Sequence, residues 1–160
     1  VTDTLAIELD AGPEVADEAM AVMHRAFDEY TAKGETAGVM LETPETLRAE
    51  LAQGIRLAVV RVDGAVVAVA KHQPTDAGLR YFGRLGVEPG LRGRGLAGAL
   101  VRALRDDARA AGLAGLTCTV RAAEEGNIAL YQGLGMEICG HGERVSRTGA
   151  VIAVVEMRDA

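Results

Sequence analysis

The sequence predicts an α/β fold of the α+β type: a mixed, mostly antiparallel central sheet covered by about four helices. Three observations predict it. Two apolar runs, Arg56 to Val62 and Ala65 to Lys71, flank Asp63-Gly64, a dipeptide that favours the left-handed geometry of a tight hairpin turn. A strand–helix–strand pattern then runs from Leu79 to Arg121, so an antiparallel meander leads into a crossover unit. Elsewhere, apolar residues recur at helical spacing between proline starts and glycine stops.

Thr4 to Leu9, with apolar residues at 5, 7 and 9, reads as the first strand. Pro13 opens a helix, where its missing N–H would be unpaired anyway. Val15, Ala19, Val22 and Ala26 form its buried stripe, widened by Met23, Phe27 and Tyr30. Thr43 caps a second, short helix that has Pro44 in its first turn and Gly54 at its end. The hairpin follows, then a loop from Pro74 to Gly78 and a strand from Leu79 to Val87. A third helix runs from about Leu96 to Ala111, with Leu96, Leu100, Leu104 and Ala108 spaced four apart. Arg102, Arg105, Asp106 and Arg109 lie elsewhere on its surface, and Gly112 closes it. Gly115 to Arg121 is a strand and Glu125 to Leu134 a helix closed by Gly135. Met136 to Val145 and Ala150 to Met157 finish as a strand pair.

At 160 residues, without linker or repeat, residues 1–160 read as a single domain that buries about two-thirds of its unfolded surface. No apolar run nears the roughly 18 residues of a membrane span, and the first residues lack a signal-peptide pattern. A cytoplasmic location without membrane contact is the expectation. Cys118 and Cys139 are too few and too separated for a disulfide framework, and Cys118 alternates with Leu116 and Val120 as a reduced core thiol. The three histidines form no ligand spacing, so no metal is expected.

The net charge of −6 argues against a nucleic-acid partner. Its distribution says more. Six arginines between Arg84 and Arg109 face three acids, a local +3 that leaves −9 for the rest of the chain. This positive charge gathers at Arg92-Gly93-Arg94-Gly95-Leu96-Ala97-Gly98, which opens the third helix. A helix start carries unpaired N–H groups and the positive end of the macrodipole, and glycines let a ligand approach the backbone. Such a place suits a phosphate-bearing small molecule.

Arg92, Gly95 and Ala97 also meet the pattern Arg/Gln-x-x-Gly-x-Gly/Ala after a strand ending Val87-Glu88-Pro89. A second block, Glu125 to Met136, contains Leu130-Tyr131 followed by Leu134-Gly135-Met136. In the order and spacing of both blocks the chain resembles the GNAT N-acetyltransferase superfamily over most of its length. Two rivals address the first block. Gly93-x-Gly95-x-x-Gly98 is also a literal dinucleotide-binding fingerprint, but Glu88 to Arg92, with a proline among them, separate it from the strand. A glycine-rich turn with solvated arginines is the plainer alternative.

The resemblance implies acetyl-CoA as acyl donor. The amides of Gly93, Arg94, Gly95, Leu96, Ala97 and Gly98 would grip its pyrophosphate, with Arg92 beside them, and the backbone of Leu85, Gly86 and Val87 would pair with the pantetheine arm. A backbone N–H near Val87 would stabilise the oxyanion, and Tyr131 would protonate the leaving thiolate. A phenol's ordinary pKa of about 10 leaves it that proton at neutral pH. Without the family context, Tyr131 reads better as one more buried aromatic, beside Ile128 and Leu134.

Where the family often has an asparagine seven residues before the tyrosine, this chain has Glu124; Asn127 lies only four before it. Glu88, His72, Glu35 and Glu42 are all candidate general bases, and none is singled out. The acceptor implied is a primary amine of a small molecule or peptide, attacking directly, in a pocket near Phe27, Tyr30 and the final hairpin. Twelve acids against three bases in Val1 to Glu50 could draw in a cationic amine. A non-catalytic acyl-CoA sensor or interaction module is the alternative, and a homodimer stays open.

Overall fold

The computed structural model describes residues 4–32, 38–146 and 149–160. Its strands are β1 (Leu5–Glu8), β2 (Arg56–Val62), β3 (Ala65–Pro74), β4 (Arg80–Val87), β5 (Leu116–Arg121), β6 (Met136–Val145) and β7 (Val151–Asp159). The helices are α1 (Ala16–Ala32), α2 (Pro44–Ala52), α3 (Leu96–Ala110) and α4 (Glu125–Gly133). The strands form one seven-stranded sheet in the order β1-β2-β3-β4-β5-β7-β6. Every neighbouring pair is antiparallel except β4 and β5, which run parallel across the α3 crossover.

Both faces of the sheet centre are covered, so the middle of β2, Leu57 to Val60, and most of β3, Ala65 to Ala70, are continuously apolar rather than alternating. Leu57, Val59, Val66 and Val69 face α1 and α2, where they meet Met20, Met23 and Leu47. Ala58, Val60, Ala68 and Ala70 face the other way, towards Leu100, Leu104 and Tyr131 of α3 and α4.

Local chemistry explains most element ends. Asp63 and Gly64 have φ of +50° and +86°, the left-handed pair that a two-residue hairpin needs. At α2, the Thr43 hydroxyl accepts from Thr46 N–H at 3.2 Å, and the Thr46 hydroxyl accepts from Thr43 N–H at 2.9 Å. Pro13 opens a 3₁₀ turn, Pro13–Val15, and the α-helix itself begins only at Ala16. Gly12, at the N-cap, has no side chain to cap the first amides.

Two strands outrun their sequence patterns for non-local reasons. β3 continues to Pro74 because His72, Gln73 and Pro74 pair with Phe82, Tyr81 and Arg80. β7 continues to Asp159, whose carboxylate accepts from Leu116 N–H at 2.8 Å. No helix among the described residues is long and apolar enough to cross a membrane.

Cys118 is buried, and burial pushes its thiol up to about 12, whereas Cys139 is exposed. A thiol reagent at pH 8 is therefore expected to label one cysteine quickly in the folded protein and the second only on unfolding. Peptide mapping should place the fast label on Cys139. Fast labelling of Cys118 would contradict this packing.

Candidate active site

β4 and β5 begin as partners and end apart. Only Arg80↔Leu116 and Tyr81↔Thr117 are in register. The closed end is pinned by ion pairs: buried Arg80 to Asp107 of α3, and Arg105 to Asp159 at 3.0 and 2.7 Å. Arg105 also donates to the Leu134 carbonyl at 2.6 Å, so it is a strut between α3, α4 and β7 and not a solvated surface residue. Past Tyr81 the strands splay, and the edge of β4 faces a cleft.

The cleft wall is further shaped by a bulge. Val69 pairs with Gly86 but Lys71 with Gly83, so Arg84 and Leu85 together oppose Ala70. Arg84 adopts φ +54°, which is costly for a side chain with a Cβ. Glu42, 2% exposed, holds it there: one carboxylate oxygen accepts from Arg84 Nε at 2.8 Å, the other from Lys71 Nζ at 2.5 Å. Lys71 also reaches Glu50 at 2.9 Å. Burial acts to raise the Glu42 carboxyl, but the hydrogen bond from Lys71 and the charges of Arg84 and Lys71 outweigh it, so Glu42 ionises below its ordinary range.

α1 closes one side of the cleft. A Cβ at Gly86 would lie 2.8 Å from Ala26 Cβ and 3.3 Å from the Phe27 ring, so only glycine permits this approach. Arg92 Nη2 donates to the Ala26 carbonyl at 2.7 Å, and Arg25 grips Glu88 at 2.7 and 2.9 Å.

The glycine loop then turns into α3 with φ of +81° at Gly93 and +77° at Gly95. Gly95 is the N-cap and no side chain caps it, so the first-turn amides point outward without a capping oxygen. A Cβ built at Gly93 or Gly95 would meet nothing within 4 Å, and that open space is where a ligand can approach the backbone.

A cavity of about 330 Å³ lies over this helix start. Leu85, Gly86, Val87, Arg92, Gly93, Gly95, Leu96, Ala97, Gly98 and Tyr131 all line it; Arg94, between the two open glycines, is exposed and does not. On the other side of β4 lie two smaller cavities of about 100 and 200 Å³, which share Tyr81, Gly83, Arg84 and Arg144. Phe27, Leu85, Asn127 and Tyr131 line both the large cavity and its 100 Å³ neighbour. The Tyr131 ring also packs edge-on against Phe82, with centroids 5.6 Å apart at 81°. Its two sequence readings are thus compatible: it is a buried aromatic and a cleft residue.

Asn127, whose spacing differs from the family pattern, nevertheless lines the cleft. The usable signal was the four-residue interval to Tyr131, which puts both on one helix face. Glu124 lines the 100 Å³ cavity but not the large one. Of the base candidates, Glu88 is paired with Arg25, and Glu42 with Lys71 and Arg84. His72 is buried against the Leu9 carbonyl at 2.6 Å, and burial lowers its pKa. Glu35 and the Tyr30 side chain lie outside the described residues.

The charge pattern also changes in three dimensions. Arg84 and Arg105 are matched by Glu42 and Asp159, so less free positive charge remains at the loop than the count suggested. Seven acids of the first fifty residues are engaged as well: Glu8, Asp10, Asp17, Glu42, Glu45 and Glu50 in ion pairs, and Glu18 with Val66 N–H.

Solved structures of known proteins share this fold. The ribosomal-protein-S18-alanine N-acetyltransferase of Escherichia coli superposes with a TM-score of 0.78 at 20% identity, covering 98% of this chain and 93% of that one. A ribosomal-protein-alanine N-acetyltransferase from Brucella melitensis gives 0.76 at 21% identity, covering 96% and 98%. A protein from Salmonella typhimurium, solved with its cofactor acetyl-CoA, gives 0.71 at 18% identity, covering 96% and 92%. No curated protein sequence matches the chain. The family model for the acetyltransferase (GNAT) family does match, over residues 20–136, from within α1 through the glycine loop to the start of β6. The chain belongs to the GNAT acetyltransferase family.

Proposed function

We propose that the chain transfers the acetyl group of acetyl-CoA to a primary amine of a small molecule or peptide, with residues 1–160 acting as one domain. The observation that carries this reading is the shared wall of Phe27, Leu85, Asn127 and Tyr131. A donor in the large cavity and an acceptor in the smaller one would meet there.

The residues present fit the donor. Gly93, Gly95, Leu96, Ala97 and Gly98 offer backbone amides at an uncapped helix start, suited to a pyrophosphate, and Arg92 and Arg94 add charge. Leu85, Gly86 and Val87 offer the edge of a splayed strand to an amide-bearing arm. The acetyl-CoA in the Salmonella structure supports this choice of donor.

In the reaction the amine nitrogen forms a bond to the acyl carbon as the carbon–sulfur bond breaks. A backbone N–H near Val87 stabilises the oxyanion. The amine's proton leaves to solvent, and the Tyr131 hydroxyl gives its own to the departing sulfur. No side chain is assigned as base. A non-catalytic acyl-CoA sensor would share the large cavity but show no turnover.

Calorimetry tests the cradle. Gly95→Val places a side chain in the open space at a φ where valine is strained, and is expected to weaken acetyl-CoA binding by about tenfold or more, roughly 1.4 kcal/mol. Arg109→Gln, in the last turn of α3, is expected to bind as wild type. Equal affinities in two folded variants would remove the loop from the donor site.

A further inference from the structure

We infer that the acceptor is an amino acid, its amine directed at Tyr131 and its carboxylate held by Arg144; this rests on the acetyl-transfer reading above. The inference comes from the charge lining the two cavities beyond β4. Their walls carry Lys71, Arg84, Arg121 and Arg144 against Glu50 and Glu124. Lys71 and Arg84 are already matched from below and beside by Glu42 and Glu50. Arg121 and Glu124 are each engaged in interactions of their own within the protein.

Arg144 is left over. It stands on β6, across the cleft from β4, lines both cavities, and has no ion pair with a described residue. Among the described residues, Arg144 is therefore the cation in the walls of these two cavities that no other group engages. A carboxylate complements it, because a guanidinium's planar donors fit two carboxylate oxygens.

The other end of the cleft suits an amine. Asn127 and Tyr131 line the 100 Å³ cavity at that end, where acetyl transfer needs the amine. An amine brought to Tyr131 at the inner end and a carboxylate on Arg144 at the outer end describe an amino acid. Cavities of about 100 and 200 Å³ are small beside those that hold drug-sized ligands, and their size suits an amino acid. The purely cationic amine expected from the acid-rich N-terminal third has less support, since seven of those acids are engaged within the fold.

The test compares the twenty common amino acids with their C-terminal amides as acceptors, reading free CoA and acetylated product. For the best acceptor, kcat/KM is expected to favour the free acid over its amide by roughly 10- to 100-fold, the usual worth of a hydrogen bond to a charged group. Arg144→Gln is expected to erase that preference through KM for the acid, with acetyl-CoA affinity unchanged, and Arg144→Lys to retain part of it. Arg144 is exposed on an edge strand, so both variants are expected to fold. Amides or simple amines accepted as well as acids, or a preference that survives Arg144→Gln, would overturn the inference while leaving acetyl transfer intact. Acetyl-CoA binding without turnover on any amine would instead defeat acetyl transfer itself, and this inference with it.

Discussion

Tyr131→Phe is expected to lower turnover by roughly 10²- to 10⁴-fold, the usual worth of a positioned general acid. The substitution removes one hydroxyl and keeps the ring, so the edge-on packing against Phe82 and the burial of α4 persist. The acetyl-CoA KM should change little, because the lost interaction belongs to the transition state. Leaving-group chemistry sharpens the test. An acyl donor with a more acidic thiol needs less protonation and should lose less rate in the variant. Wild-type turnover in Tyr131→Phe, on an acceptor for which chemistry limits the rate, would leave Tyr131 with its packing role alone.

Glu42→Ala is expected to cost about 3–5 kcal/mol of stability, the range for breaking a buried ion pair from one side. Its carboxylate is the only one that both Arg84 and Lys71 reach among the described residues, and Lys71 is itself mostly buried. Removing it leaves Lys71 with Glu50 alone and Arg84 without the group that holds its φ of +54°. The pH dependence carries a definite sign. The folded protein holds the Glu42 carboxyl below its ordinary value near 4.5, so the stability it contributes is present above that value. It is lost as pH falls through the lower, folded one. Urea denaturation at pH 7 and at pH 3.5 should therefore show a wild-type loss at the lower pH that is smaller in Glu42→Ala. Equal midpoints for the two proteins at pH 7 would mean that the buried network carries no net stability.

The parts of this fold legible in the sequence are those fixed by local chemistry. Thr43 and Pro44 start α2, Asp63-Gly64 turns the hairpin, Gly112 and Gly135 follow α3 and α4, and the glycine loop announces a ligand at a helix start. What escaped depends on partners distant in sequence. β3 extends to Pro74 only because β4 lies beside it, and β7 extends to Asp159, where Arg105 and Leu116 are waiting. The positive φ of the bulge falls on Arg84 and not on its neighbours Gly83 or Gly86, because a buried glutamate more than forty residues away holds the strain. Six arginines looked like a phosphate field in one dimension, yet two of them are struts in three. The walls of the two smaller cavities draw on α1, α2, β3, β4, β5, α4 and β6 together, and no single stretch of sequence displays them.

The central claim is that the two cavities meeting at Tyr131 bring a thioester and an amine together. The most direct measurement is mass spectrometry of an acceptor panel (amino acids, polyamines, aminoglycosides and peptide N-termini) incubated with acetyl-CoA and the protein. The account predicts at least one acceptor that gains a single acetyl group on nitrogen, at a rate matched by the appearance of free CoA and abolished by heating the protein. Tight, saturable acetyl-CoA binding with every acceptor returned unmodified would contradict it and make this chain a reader of acyl-CoA, not a transferase.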